Sequence, residues 1–258
     1  HSVVRRQRQM CIRDRSYGAL GKSAVRSLAR GARMAEIPMN TGEGGYPKYH
    51  LMEECDLIFQ LGTAKFGVRD DEGNLCSDKL SALAQKPSIK MVEIKLSQGA
   101  KPGKGGLLPK EKITDEISEL RGVPKGKDVV SPTYHNECSS IESTVKFIAQ
   151  IQEITQIPTG IKFCLGQKKE AYALFSEMKK QNVFPDYISV DGAEGGTGAA
   201  PKSFLDDVGV PLFIALPVVV KILNELEIRH KTKIVAGGKL INSGKQFMAL
   251  CMGADALY

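Results

Sequence analysis

DYISVDGAEGGTGAAP, residues 186–201, runs from an apolar, β-branched stretch straight into a turn with four glycines, Gly192, Gly195, Gly196 and Gly198. A helical stretch follows at 211–229. A strand that ends in a glycine turn and hands over to a helix is the repeating unit of a parallel sheet, because parallel neighbours need a crossover between them. The same unit recurs on both sides. Strands read at IPMN (37–40), DLIFQLG (56–62), MVEIKLSQG (91–99), DVVSP (128–132), GIKFCLG (160–166) and KIVAGG (233–238), and ADALY (254–258) begins one more. Helical patterns lie at 18–34, 77–85, 114–122, 140–154, 168–181 and 243–252. Eight strand–helix units over about 240 residues fit a (β/α)8 barrel better than a doubly wound sheet.

The chain has 258 residues, 42% hydrophobic and 25% charged, which excludes a disordered polymer. No apolar run is long enough to cross a bilayer, and Val210–Val220 is interrupted by Pro211 and Pro217. The net charge of +7 is concentrated at the start, where residues 1–16 hold Arg5, Arg6, Arg8, Arg13 and Arg15 against Asp14. The remainder is only mildly basic, so nucleic acid is not an expected partner. RRQRQMCIRDR resembles translated sequencing adapter, and residues 1–16 are expected to be a non-native or disordered extension of a barrel domain over 17–258. The six cysteines show no tight metal spacing and read as buried free thiols of a reducing, cytoplasmic compartment, with no metal site.

In a barrel the C-terminal strand ends share the face that carries the active site. The glycine turn at 191–201, with Thr197 as a hydroxyl donor, offers backbone N–H groups to a planar or anionic ligand; a plain surface loop is the bland alternative. AGGK (236–239) places Gly237 and Gly238 where barrels bind phosphate. Lys95 and Lys162 stand among apolar neighbours, so their pattern points them inward, toward an anion or toward a carboxylate such as Glu93 or Asp191. The loop AKPGKGGLLPKEK (100–112) is cationic, and Lys101 and Arg121 are its candidates for holding a carboxylate. Glu43, in the turn NTGEGG, suits an acid held against a substrate. His50, His135 and His230 are scattered, and no GxSxG motif is present.

NTGEGG, KLSQGAKPGKGGLLP, RGVP, SVDGAEGGTGAAP and AGGK…ALCMGADAL together resemble the FMN-binding synthase domain of glutamate synthases, most closely the stand-alone prokaryotic glutamate synthase-like proteins. The resemblance runs from about Ser16 to Tyr258. It implies an FMN-dependent oxidoreductase barrel, incomplete after strand 8, in which reduced FMN gives a hydride to 2-iminoglutarate formed from 2-oxoglutarate and ammonia, yielding L-glutamate. It places Gln60, Gln98, Lys162, Gly195, Gly196, Thr197, Gly198, Gly237, Gly238 and Lys239 at the flavin. Glu43 and Lys95 fall in catalytic positions, and Lys101 and Arg121 in substrate-binding ones. An electron donor, ferredoxin or an NAD(P)H-linked subunit, is implied as a partner. Leu107 stands where larger members carry glutamine, and Lys65 where they carry arginine. The cysteines of the family's [3Fe–4S] cluster are absent from this sequence, and the isolated chain is expected to bind FMN weakly and not to turn over alone. An FMN barrel acting on another keto or hydroxy acid is the alternative.

Overall fold

The computed structural model describes residues 14, 16–194, 200–205 and 207–258. Gly195, Gly196, Thr197 and Gly198, and residues 1–13 and 15 of the basic extension, lie outside the described residues. The chain divides into two compact units. One comprises the residues up to Ile94 with Gly105–Thr133 and Ile154–Ile157; the other comprises Lys95–Lys104, Tyr134–Glu153 and Pro158–Tyr258.

In the first unit, helix α1 (Lys22–Met34) turns Val25, Ala29 and Ala32 inward. That spacing, three to four residues apart, builds one apolar face on an otherwise arginine-rich helix. The helix starts later than its sequence pattern suggests, because Tyr17 and Leu20 form a small bridge around Gly18, whose φ is +100°. Strand β1 (Met39–Asn40), helix α2 (Lys48–Leu51), strand β2 (Leu57–Leu61), helix α3 (Ser77–Ala84) and strand β3 (Ile89–Lys95) follow. β1, β2 and β3 are parallel neighbours, with Met39 opposite Leu57 and Phe59 opposite Val92. Every residue of β2 is buried. This continuous burial is the mark of a parallel strand covered on both faces.

The long glycine-lysine loop is more structured than its composition suggests, and it overturns one strand assignment. Strand β4 (Leu107–Leu108) pairs antiparallel with β5 (Val129–Val130), so DVVSP belongs to a separate two-stranded ribbon. Val130 and Leu107 are 71% and 54% exposed, as suits a ribbon with little core to cover. The β-branched pair signals extended backbone but not its partner, which is why the sequence reads it as a barrel strand. Between these strands, helix α4 (Asp115–Arg121) is opened by Thr114, whose hydroxyl accepts from the Ile117 N–H at 3.3 Å. It is closed by Gly122 in the left-handed region at φ +62°. Its inner face joins a small core of Ala64, Phe66, Leu108, Ile113, Ile117 and Val123.

The second unit contains nearly all of helix α5 (Ile141–Thr155), then strand β6 (Thr159–Phe163), helix α6 (Lys168–Gln181), strand β7 (Tyr187–Asp191), helix α7 (Leu212–Glu225), strand β8 (Lys233–Gly237), helix α8 (Ser243–Cys251) and strand β9 (Ala256–Leu257). Ser140 opens α5 by accepting from the Ser143 N–H at 3.0 Å. β6 to β9 are consecutive parallel neighbours. Gly160 of β6 lies opposite Tyr187 of β7, and a Cβ on Gly160 would fall within the tyrosine ring. The described residues thus hold seven parallel strands with helical crossovers and one antiparallel ribbon. This is an incomplete (β/α)8 architecture.

The thiols depart from the expectation of uniform burial. Cys55 and Cys164 are buried, Cys76 and Cys138 half-buried and Cys251 exposed, and none of the five is in a disulfide. Burial pushes the Cys55 thiol up to about 11, with Asp56 and Glu53 adding to the rise against a lowering backbone hydrogen bond. A raised thiol value stabilises the fold below its unfolded range near 8.5, and that contribution fades as pH climbs through 11. At pH 8, iodoacetamide is expected to label Cys251 readily and Cys55 only after denaturation. Mass spectrometry showing equal labelling of the two in the native chain would contradict this placement.

Candidate functional site

The first unit builds a polar network on the ends of its strands. Glu93 of β3 is fully buried, and its Oε1 accepts from Asn40 Nδ2 at 2.9 Å and Gln60 Nε2 at 2.8 Å. Two amide donors offset the cost of removing this carboxylate from water. Asn40 Oδ1 accepts from the Gly42 N–H at 2.9 Å, so the same network fixes the entry to the NTGEGG turn. Gln60 Nε2 also donates to Asp14 at 2.9 Å, while Gln60 Oε1 is buried with no partner among the described residues.

Glu43 is half-buried and lies over Gly62, just past β2, where a Cβ would stand 2.7 Å from the glutamate Cβ. Arg121, the last residue of α4, is buried. Its Nη2 donates to the Tyr17 carbonyl at 2.9 Å, and its guanidinium carbon sits 4.9 Å from the Phe66 ring centre. Gly18 and Gly44 border it so closely that a Cβ on either would come within 2.8 and 2.9 Å of Nη2. Burial draws the Arg121 guanidinium below its ordinary value, and the nearby Glu43 carboxylate opposes that shift. The first unit therefore brings Glu43 and Arg121 into electrostatic reach and sets Gln60 in the neighbouring network.

In the second unit, Lys95, Lys101 and Lys162 are all buried, at 8%, 4% and 1% exposure. The other cations of the loop, Lys104, Lys110 and Lys112, are exposed. The N–H groups of Leu96 and Ser97 donate to the Lys162 carbonyl at 2.9 and 3.3 Å. His135 Nε2 donates to the Lys95 carbonyl at 3.0 Å. Gln98 is half-buried, and the next N–H, that of Gly99, donates to Asp191 Oδ2 at 2.9 Å.

The glycines here serve close packing. A Cβ on Gly99 would land on the Gly192 carbonyl oxygen, and one on Gly209 would meet Cys164 Sγ at 2.8 Å and the Gly99 carbonyl at 3.0 Å. A Cβ on Gly192 would meet Glu194 Oε2 and the Leu212 Cβ. Gly237 accepts from the Gly192 N–H at 2.8 Å, and a Cβ on Gly238 would stand 2.9 Å from Glu194 Oε2. Glu194 caps α7, accepting from the Leu212 N–H at 2.9 and 3.0 Å. Lys239 is exposed, in the left-handed region at φ +47°.

Sequence reasoning missed Asn40, His135 and Tyr17. Asn40 could have been found, as a polar residue ending an apolar strand. His135 comes from an irregular segment and touches Lys95 through its main chain, so no periodicity signals it. Among the described residues no three His, Cys, Asp or Glu side chains form a metal-binding group, and no helix is long and apolar enough to cross a membrane.

Solved structures share this fold across 96% of the chain. A flavocytochrome b2 mutant with pyruvate bound aligns with a TM-score of 0.59 at 14% identity over 56% of its length, and a mandelate oxidase mutant with an FMN adduct at 0.54, 16% and 63%. The architecture is that of the TIM-barrel class to which these proteins belong, here incomplete. The model of the conserved region in glutamate synthase matches residues 1–258, and the chain belongs to the glutamate synthase family. It is 40% identical over 241 residues to the glutamate synthase large subunit-like protein YerD of Bacillus subtilis, and 41% identical over 245 residues to the archaeal-type glutamate synthase [NADPH] of Thermotoga maritima. Those alignments cover 93% and 94% of this chain but 46% and 45% of the relatives, so the chain spans under half their length.

Proposed function

We propose that the chain is the flavin-binding synthase part of a glutamate synthase, an oxidoreductase that makes L-glutamate from 2-oxoglutarate and ammonia. The observation that carries this reading is the burial of the family-matched cations Lys95, Lys101, Lys162 and Arg121 while the other loop lysines are exposed. A dicarboxylate and a phosphate-bearing cofactor call for cationic partners of this kind.

FMN fits the residues present. Gln60 Oε1 is a buried acceptor with no partner among the described residues, of the kind a ring N–H satisfies. When bound, FMN would supply the hydride that reduces the imine carbon of 2-iminoglutarate. In this reading Gln60, Gln98, Lys162, Gly237, Gly238 and Lys239 hold the cofactor, as do Gly195, Gly196, Thr197 and Gly198 by family resemblance. Arg121 and Lys101 hold the substrate carboxylates, Lys95 stabilises negative charge, and Glu43 orients or protonates the nitrogen. The electron donor is a ferredoxin or an NAD(P)H-linked protein, and the resemblance also implies a [3Fe–4S] cluster in full-length family members.

Titration of the chain with FMN, then of the loaded chain with 2-oxoglutarate, tests this reading. The visible flavin band is expected to shift on each addition. Failure to retain FMN at saturation would defeat the proposal, and a response to 2-hydroxy acids but not to 2-oxoglutarate would favour the alternative substrate class.

A further inference from the structure

Tyr17 touches both ends of the short helix α4. Its hydroxyl donates to Glu116 Oε2 at 2.6 Å in the first turn, and its carbonyl accepts from Arg121 Nη2 at 2.9 Å in the last. Glu116 also accepts from the Tyr49 hydroxyl at 3.1 Å and faces Lys48 Nζ at 3.7 Å, so α2 is tied to the same carboxylate. The two tyrosine rings pack at 5.1 Å. Burial and the Glu116 carboxylate drive the Tyr17 phenol well above its ordinary range, which keeps its proton in place as a donor.

A helix of seven residues has little stability of its own and takes its orientation from what packs against it. The Tyr17 segment is equally irregular, with one bridge to Leu20 and Gly18 at positive φ. We propose that Tyr17 and Glu116 are a positioning pair: the hydroxyl bond anchors the Tyr17 backbone, whose carbonyl then sets the Arg121 guanidinium for the substrate carboxylate. The proposal rests on the reading of Arg121 as a 2-oxoglutarate ligand. Neither residue of the pair touches substrate. Both act through one nitrogen of Arg121, leaving its other edge to the ligand.

Calorimetry of 2-oxoglutarate binding to the FMN-loaded full chain, paired with thermal melts, tests the pair. Tyr17→Phe keeps the ring and carbonyl and removes only the hydroxyl; it is expected to weaken binding about tenfold while the chain stays folded. Glu116→Ala is expected to match it. Glu116→Gln retains an acceptor oxygen and is expected to bind within about threefold of wild type. Wild-type affinity in Tyr17→Phe, or Glu116→Gln as weak as Glu116→Ala, would overturn the proposal. If the wild type itself ignores 2-oxoglutarate, the functional reading fails, and the Arg121 Nε–H resonance decides the pair. That signal should be sharp and slow to exchange in wild type and Glu116→Gln but broadened in Tyr17→Phe; an unchanged signal in Tyr17→Phe would overturn the positioning role.

Discussion

Gly99→Ala is expected to cost about 3–5 kcal/mol and to lower the melting temperature by roughly 6–20 °C. The new methyl group would collide with the Gly192 carbonyl, a backbone atom that cannot rotate away. Relief would require breaking the Gly99 N–H bond to Asp191 or the Gly192 N–H bond to Gly237. Gly31→Ala is the control, because nothing lies within 4 Å of its Cβ position in the last turn of α1. It should stabilise by up to about 1 kcal/mol through helix propensity alone. A Gly99→Ala chain that melts with wild type would show that the two turns do not touch as described.

Arg121→Met is expected to abolish measurable 2-oxoglutarate affinity, a loss of about 100-fold or more, and to cost about 2–4 kcal/mol of stability. Two groups lose their partner at once: the Tyr17 carbonyl loses its donor, and Glu43 loses the cation that faces it. Arg121→Lys should recover the charge but only part of the affinity, since an ammonium cannot reproduce a two-pronged contact. Lys104→Met, at an exposed position of the same loop region, should leave both quantities unchanged. Parallel binding isotherms and melts separate these results, and Arg121→Met binding as tightly as Lys104→Met would remove Arg121 from the substrate site.

The strand–helix alternation was legible in the sequence because burial on both faces writes itself as unbroken apolar runs, as in Leu57–Leu61 and Tyr187–Asp191. Lys101 and Arg121 are buried, whereas Lys104, Lys110 and Lys112 are exposed. Val129–Val130 misled because extended backbone carries no label for its partner, and here the partner is Leu107–Leu108 from the neighbouring loop. The sequence does not announce that Gly99 makes room for the Gly192 carbonyl, a contact between turns far apart in the chain. His135 and Tyr17 were hidden because each acts through a contact distant in sequence that involves a main-chain carbonyl, which no residue type announces.

The Gly160–Tyr187 pairing constrains how relatives of this chain can diverge. A side chain at position 160 and an aromatic ring at position 187 exclude one another, so neither site can drift alone without passing through a damaged intermediate. The ring must shrink before the glycine can be replaced, and once a larger residue occupies 160 the return of the tyrosine is closed. Two neighbouring strands therefore share a single inherited character, with an order of change written into their geometry.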